Sequence, residues 1–282
     1  METRASAPST RKRFALTGRS RAFDRRIDAA RGDLADVRLA DRLFAPHYVA
    51  AAARGAMRAT MVLDEQGAPV SELLQGENFE VLELAGGRAW GRCSIDGSVG
   101  FVDAGGLGPM IEPTHIVSAP SIVSERGARL PMGARLAGVE RDDVLVTESD
   151  RIPIGGVRPI GEPVADTVAL AEALVGTSHR TGGRSGGGVD CSGLVFLTLC
   201  LGGIPAPRFR DLQATSIGRP VSDGAPILRG DLLYFDDHVA IAASEKTVVH
   251  ASAETREVVQ QPLDALLDGN IYGPLNVRRR MP

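Results

Sequence analysis

The sequence predicts an α+β chain: two small β-barrels in tandem, then a C-terminal domain in which helices precede an antiparallel meander. Three observations predict it. From 58 to 107, short β-type runs alternate with glycine turns. A similar pattern returns between 130 and 147. Beyond residue 162 the apolar spacing becomes helical, and three short apolar runs follow at strand length.

Each element has its own signal. Residues 1–51 form an N-terminal segment, polar and arginine-rich to about residue 22 and expected to be mobile there. Its later part, rich in Ala, Arg, Asp and Leu, predicts one or two short helices. Residues 52–110 predict the first barrel, with strands at Ala59-Thr60-Met61-Val62, Phe79-Glu80-Val81-Leu82-Glu83, Ala89-Trp90-Gly91-Arg92-Cys93 and Ser98-Val99-Gly100-Phe101-Val102. Turns fall at Gly86-Gly87 and Asp96-Gly97. Residues 111–161 predict the second barrel as a weak repeat of the first. In both, a Leu and a turn glycine (Leu74 and Gly76, Leu130 and Gly133) lead into an alternating strand. One irregular β-domain is the competing reading.

The C-terminal domain, 162–282, opens with a helix over 166–175, for which Asp166 is the cap and Val168, Leu170, Ala171 and Leu174 the apolar face. A glycine-rich loop at 182–188 precedes a helix over Cys191–Leu201, apolar throughout and so expected to be buried. Strands follow at 231–235, Val239–Ala242 and 247–250.

Composition narrows the function. The chain of 282 residues carries 32 basic and 35 acidic side chains, a formal charge of −3. That balance offers no electrostatic case for a nucleic-acid or polybasic membrane partner. Three cysteines do not make a disulfide framework and fit a reducing compartment. No apolar run is long enough for a membrane span. Phe14-Ala15-Leu16, the apolar stretch within the basic N-terminal region, is too short for a signal peptide, so a cytoplasmic location is expected.

The chemistry concentrates at Gly188-Val189-Asp190-Cys191-Ser192-Gly193-Leu194-Val195. A cysteine there sits where a glycine-rich loop turns into a buried helix. Helix-start N–H groups favour an anion, so a thiolate with a lowered pKa is expected, and the same groups suit a developing oxyanion. A cysteine nucleophile needs a base and a group that orients it. His238 begins one predicted strand and His250 ends the next. Adjacent antiparallel strands would bring the two imidazoles together as a relay.

Cys93 and Cys200 read as buried small hydrophobes. Asp190 reads either as a plain helix cap or as a ligand for an ammonium group. The 182–188 loop lacks the Gly-Lys-Ser/Thr ending of a phosphate cradle. Without a Cys-x-x-Cys or His-Glu-x-x-His pair, Cys191, His238 and His250 do not read as a metal site, and no cofactor is called for.

Asp190-Cys191-Ser192-Gly193-Leu194-Val195, Arg229-Gly230-Asp231-Leu232, His238-Val239-Ala240-Ile241 and Val249-His250-Ala251, in that order, resemble the NlpC/P60 family of papain-like cysteine peptidases. The resemblance covers about 163–282. The upstream repeat is similar to the bacterial SH3-type barrels that often precede such domains. The resemblance implies cleavage of the amide between γ-D-glutamyl and a diamino acid in murein-derived peptides. It implies Cys191 as nucleophile, His238 as base and His250 as the orienting third residue. By comparison with relatives that carry two SH3-type barrels, it also implies that Asp190 and Ser192 hold the free amine of a terminal L-Ala. The substrate would then be short released peptides. The chain departs from the family where Pro-Tyr-x-Trp-Gly-Gly is usual: it reads Ser178-His179-Arg180-Thr181-Gly182-Gly183. His179 stands in place of a tyrosine and is the expected substitute donor. In the first barrel, Asp-Gly-Tyr-x-Gly-Tyr reads Asp96-Gly97-Ser98-Val99-Gly100-Phe101. Two other readings stay open: a peptide-binding module without activity, and an acyltransferase on the same fold.

Overall fold

A computed structural model describes residues 22–268 and 271–281. The expected mobile stretch 1–21 lies outside the described residues. From residue 22 to 51 the expected helices are absent. A single 3-10 turn, Val37–Leu39, sits between strands Leu34–Asp36 and His47–Val49, which pair in parallel. Helix propensity is a weak prior, and here the apolar residues serve two separate contacts instead of one helical face. Ala30, Ala35, Leu39 and Ala45 form a small core of their own, while Ala29 and Leu34 pack with Leu82, Trp90 and Val99 of the next unit. Arg31 adds its guanidinium over the Trp90 ring, 4.3 Å from the centroid.

Residues 52–108 form one seven-stranded antiparallel sheet. Its order is Pro69–Leu73, Thr60–Leu63, Val99–Asp103, Arg88–Cys93, Asn78–Ala85, Ala52–Ala56 and Leu107–Gly108. Alternation along these strands buries Val62, Leu73, Phe79, Val81, Ala89 and Val102 on one face, which makes the core. The second unit keeps its own core of Val117, Leu130, Ala134, Leu136, Leu145, Ile152 and Val157. Its strands, two to four residues long, fall into three small sheets. Two closed barrels were expected, and neither ladder closes. In the first unit a single pair, Leu63 with Phe101, joins Thr60–Leu63 to Val99–Asp103. In the second, the strands are too short to carry a continuous ladder. The tandem resemblance holds locally: Gly76 and Gly133 both take positive φ, +80° and +95°, at the turn before the strand.

The C-terminal unit contains helices α1 (Thr167–Ala173), α2 (Cys191–Leu201), α3 (Arg210–Ser216) and α4 (Leu263–Asp268). Asp166 caps α1 as expected, accepting from the Val168 and Ala169 amides at 3.0 Å each. An antiparallel six-stranded sheet runs Arg219–Pro220, Leu275–Arg280, Leu232–Phe235, Val239–Ala242, Thr247–Ser252, Glu257–Pro262. The apolar α2 is buried because it has neighbours on opposite sides. Leu194, Val195 and Leu199 join Leu232, Val239, Ile241 and Val249 of the sheet in one core. On the other side, Leu197 and Leu74 crowd the space beside Gly133, leaving no room for a Cβ there.

The seam between the first β-unit and the C-terminal unit is ionic. Arg184, 2 % exposed, forks onto Glu77 and lies 2.8 Å from Asp96. Glu72 accepts from the Arg184 backbone amide at 3.1 Å and pairs with Arg180.

Candidate active site

Asp190 is the N-cap of α2. Its Oδ1 accepts from the Gly193 amide at 2.7 Å, and Leu194 N–H closes the first turn onto the Asp190 carbonyl at 2.9 Å. This sets Cys191 as the first residue of the helix, half-buried, on its positive end. The backbone amide of Val239, the residue after His238, lies near the sulfur and favours its anion. Nucleophile helix and histidine strand therefore meet at the sulfur.

The two histidines meet through sheet register. Val239–Ala242 and Thr247–Ser252 pair with Ile241 opposite Val249 and Ala242 opposite Val248. One step further puts Ala240 opposite His250, with His238 two residues along on the same face, a diagonal neighbour. His238 Nε2 and His250 Nδ1 lie 2.8 Å apart, with the rings edge to face at 85°. That contact engages Nε2 of His238 and leaves Nδ1 as its other proton-exchanging atom. Both rings are buried. Tyr272 stacks on His238 with centroids 4.0 Å apart and planes at 17°, and its hydroxyl is 3.2 Å from Ser252 Oγ.

Electrostatics reverses one expectation. The helix-mouth position predicts a lowered thiol pKa, but burial and the neighbouring Asp190 carboxylate push Cys191 up to about 11. The Val239 amide, Arg210 and Arg208 pull the other way without prevailing. Burial, with His250, Arg210 and His179 nearby, takes His238 down to about 2. Burial takes His250 down to about 4, against the opposing pull of the Gln261 side chain. Burial thus favours the uncharged form of both the thiol and the imidazole, and proton transfer from one to the other accompanies attack in such a pair.

His179 is brought to the site as well. Residues 178–180 lie along Gly188–Val189, with Val189 N–H bonded to the Ser178 carbonyl and Arg180 N–H to the Val189 carbonyl, both at 3.1 Å. The missing tyrosine's counterpart therefore stands beside the residue that precedes Asp190. Ser98, in the other altered motif, is fully buried, and its Oγ has no partner among the described residues.

Asp190 and Ser192 are together but already engaged. Arg208, 1 % exposed, places Nη1 3.1 Å from Asp190 Oδ1 and 2.8 Å from Ser192 Oγ, and Nη2 2.7 Å from Asp190 Oδ2. Its Nε reaches Ser71 Oγ of the first β-unit at 3.3 Å. The Gly182 amide also donates to Asp190 Oδ2 at 2.8 Å. Burial opposes ionisation, but Arg208 and these amides hold the Asp190 carboxyl below its ordinary range.

In sequence, no motif marks Tyr272, and Arg208 has only the preceding Pro207 as a signal. Each sits in a loop without periodicity, and their partners are distant along the chain. Cys93 is buried, as expected of a small hydrophobe, whereas Cys200 is half-buried and accepts from Arg135 Nη2 at 3.6 Å. Among the described residues no cluster of His, Cys, Asp and Glu is arranged to hold a metal.

Residues 176–267 match the NlpC/P60 family and residues 64–107 the bacterial dipeptidyl-peptidase SH3 domain. Dipeptidyl-peptidase 6 of Lysinibacillus sphaericus is 36% identical over 101 residues, which span 35% of this chain and 36% of that protein. The probable endopeptidase NlpC of Escherichia coli K12 is 35% identical over 109 residues, 36% of this chain and 66% of that protein. The match thus spans about a third of the first of these relatives. In three dimensions, an NlpC/P60 family protein from Bacillus cereus ATCC 10987 aligns over 82% of this chain and all of its own, with a TM-score of 0.69 at 17% identity. That likeness extends the shared fold beyond the residues matched by the NlpC/P60 family. The chain carries an NlpC/P60 domain preceded by a bacterial SH3-type domain.

Proposed function

We propose that the chain is a cysteine peptidase that hydrolyses the γ-D-glutamyl–diamino acid amide of short murein-derived peptides. The observation that carries the reading is the placement of the Cys191 sulfur against the strand Val239–Ala242, just after His238, whose ring is tied to His250 at 2.8 Å. His238 takes the thiol proton as sulfur attacks the γ-carbonyl carbon. The first-turn amides of α2 face the growing oxyanion. The C–N bond breaks, and the amine leaves with the proton held by His238. Water, deprotonated by His238, then adds to the thioester, and the carboxylate product departs as the thiol is restored. His250 fixes the tautomer of His238.

Asp190 and Ser192 are the proposed ligands of a free L-Ala amine. The ammonium would join a network that Arg208 already neutralises in part, so its contribution is smaller than that of a bare carboxylate. His179 is the proposed stand-in for the tyrosine hydroxyl, and an H179A enzyme with undiminished turnover contradicts that role. The test of the whole reading is incubation with L-Ala-γ-D-Glu-diamino acid peptides and mass analysis of the products. Split dipeptide and free diamino acid support it. Transfer of the acyl group to an added amine, without net hydrolysis, indicates the acyltransferase. Binding without conversion indicates the peptide-binding module.

A further inference from the structure

Arg210 opens α3 between the two halves of the reacting pair. Three residues on, Gln213 donates from Nε2 to the Ser192 carbonyl at 3.0 Å and to the Pro207 carbonyl at 2.9 Å. These bonds moor α3 one residue past Cys191. On the other side, Arg210 Nη2 reaches the carboxylate of Asp237, the residue before His238, at 3.5 Å. That contact is long, and the Asp237 side chain is 91% exposed, so it holds the guanidinium weakly.

Nη1 of Arg210 is buried and has no hydrogen-bond partner among the described residues. A buried cationic donor left unpaired is costly unless something supplies the acceptor. Arg208, two residues earlier, has all three nitrogens engaged. Arg210 therefore differs from it in having a spare donor. Its charge is felt at both Cys191 and His238.

We propose that Arg210 determines specificity by receiving a free carboxylate on the acyl side of the scissile amide, the group that distinguishes a γ-linked glutamyl residue from an ordinary peptide residue. The inference rests on the peptidase reading above and deepens it. A γ-glutamyl unit carries its α-carboxylate at the end of a short aliphatic spacer from the reacting carbonyl. A planar guanidinium with an open N–H matches that group in charge and geometry.

The test uses two substrates that differ in one group, γ-D-glutamyl and γ-D-isoglutaminyl peptides, the second carrying a carboxamide in place of the carboxylate. The full chain is expected to prefer the carboxylate in kcat/KM by about tenfold to a hundredfold, the range of a hydrogen bond to a charged group. In Arg210→Gln that ratio falls close to one, and Arg210→Lys restores part of it. A general loss of folding lowers both rates together and leaves the ratio alone. An unchanged ratio in Arg210→Gln overturns the proposal. Binding of the dipeptide L-Ala-γ-D-Glu and its carboxamide to a Cys191→Ser chain separates the two readings. Carboxylate-selective binding that Arg210→Gln abolishes, without cleavage by the parent chain, sustains the Arg210 assignment and sinks the peptidase. Equal binding of both ligands overturns the assignment.

Discussion

Replacing Arg184 with methionine removes the charge at the seam between the SH3-type and NlpC/P60 domains while keeping most of the stem. The guanidinium is 2 % exposed, forks onto Glu77 with Nη1 2.9 Å from Oε1, and lies 2.8 Å from Asp96 Oδ2. Both carboxylates are themselves buried, with side-chain exposures of 1% and 0%. Arg184→Met therefore takes the guanidinium from buried Asp96 and leaves Glu77 with the more distant Arg135, 3.8 Å away. Breaking a buried pair from one side costs about 3–5 kcal/mol. The methionine stem continues to pack near Phe196, over which the guanidinium now lies at 5.4 Å, so the cavity penalty is small. Urea unfolding, followed by the fluorescence of Trp90, the one tryptophan of the chain, and by far-UV circular dichroism, measures the loss. Adding Glu77→Gln and Asp96→Asn should return most of it, because the carboxylate charges left behind are then gone. A loss below about 1 kcal/mol, the value of a surface pair, refutes the reasoning, as does a triple variant no better than the single one.

Two further outcomes follow from the site. Tyr272→Ala removes the ring stacked on His238 and should lower kcat up to about tenfold with little change in KM, whereas Tyr272→Phe keeps the stack and the rate; equal effects of the two variants contradict a positioning role. Both histidines are held below their ordinary 6.5, so His238 stays an unprotonated base well into acid, and the acid limb of kcat/KM should fall near pH 4 or lower; a limb at 6.5 contradicts the burial account. For stability the sign is the following. Between 6.5 and about 4 the unfolded chain binds protons that the folded His250 refuses, so stability falls as pH falls through that window, by about 3 kcal/mol from this residue. Denaturation midpoints that stay level from pH 7 to 4 contradict it.

The parts of the fold legible in the sequence are those set by local rules. Helix α2 matches its sequence bounds, Cys191–Leu201, because an apolar run follows a strong cap at Asp190. Val239–Ala242 matches because Val239 and Ile241 alternate with alanines in a short apolar run bounded by Asp236-Asp237 and Ser244. Strands Glu257–Pro262 and Leu275–Arg280 were missed, since Gln260 and Gln261 in one and the three arginines ending the other hide their alternation. The site splits the same way. Asp190, Cys191, His238 and His250 were readable as a spaced set. Arg208 was not, because its meaning lies in Ser71 on another domain and in the carboxylate of the cap. The thiol's proton affinity rises where helix polarity alone predicts a fall, since helix polarity is local and visible in sequence, whereas burial depends on the whole packing around Cys191.

The central claim is that the Cys191 sulfur forms a covalent acyl intermediate with His238 as its base. Acid-quenching the enzyme during turnover of L-Ala-γ-D-Glu-diamino acid peptide, then mapping the digested chain by mass, tests it directly. The account predicts an L-Ala-γ-D-glutamyl adduct on Cys191 that is absent in His238→Ala. Steady turnover with no adduct under any quench, together with a Cys191→Ala chain that still cleaves the peptide, would contradict it.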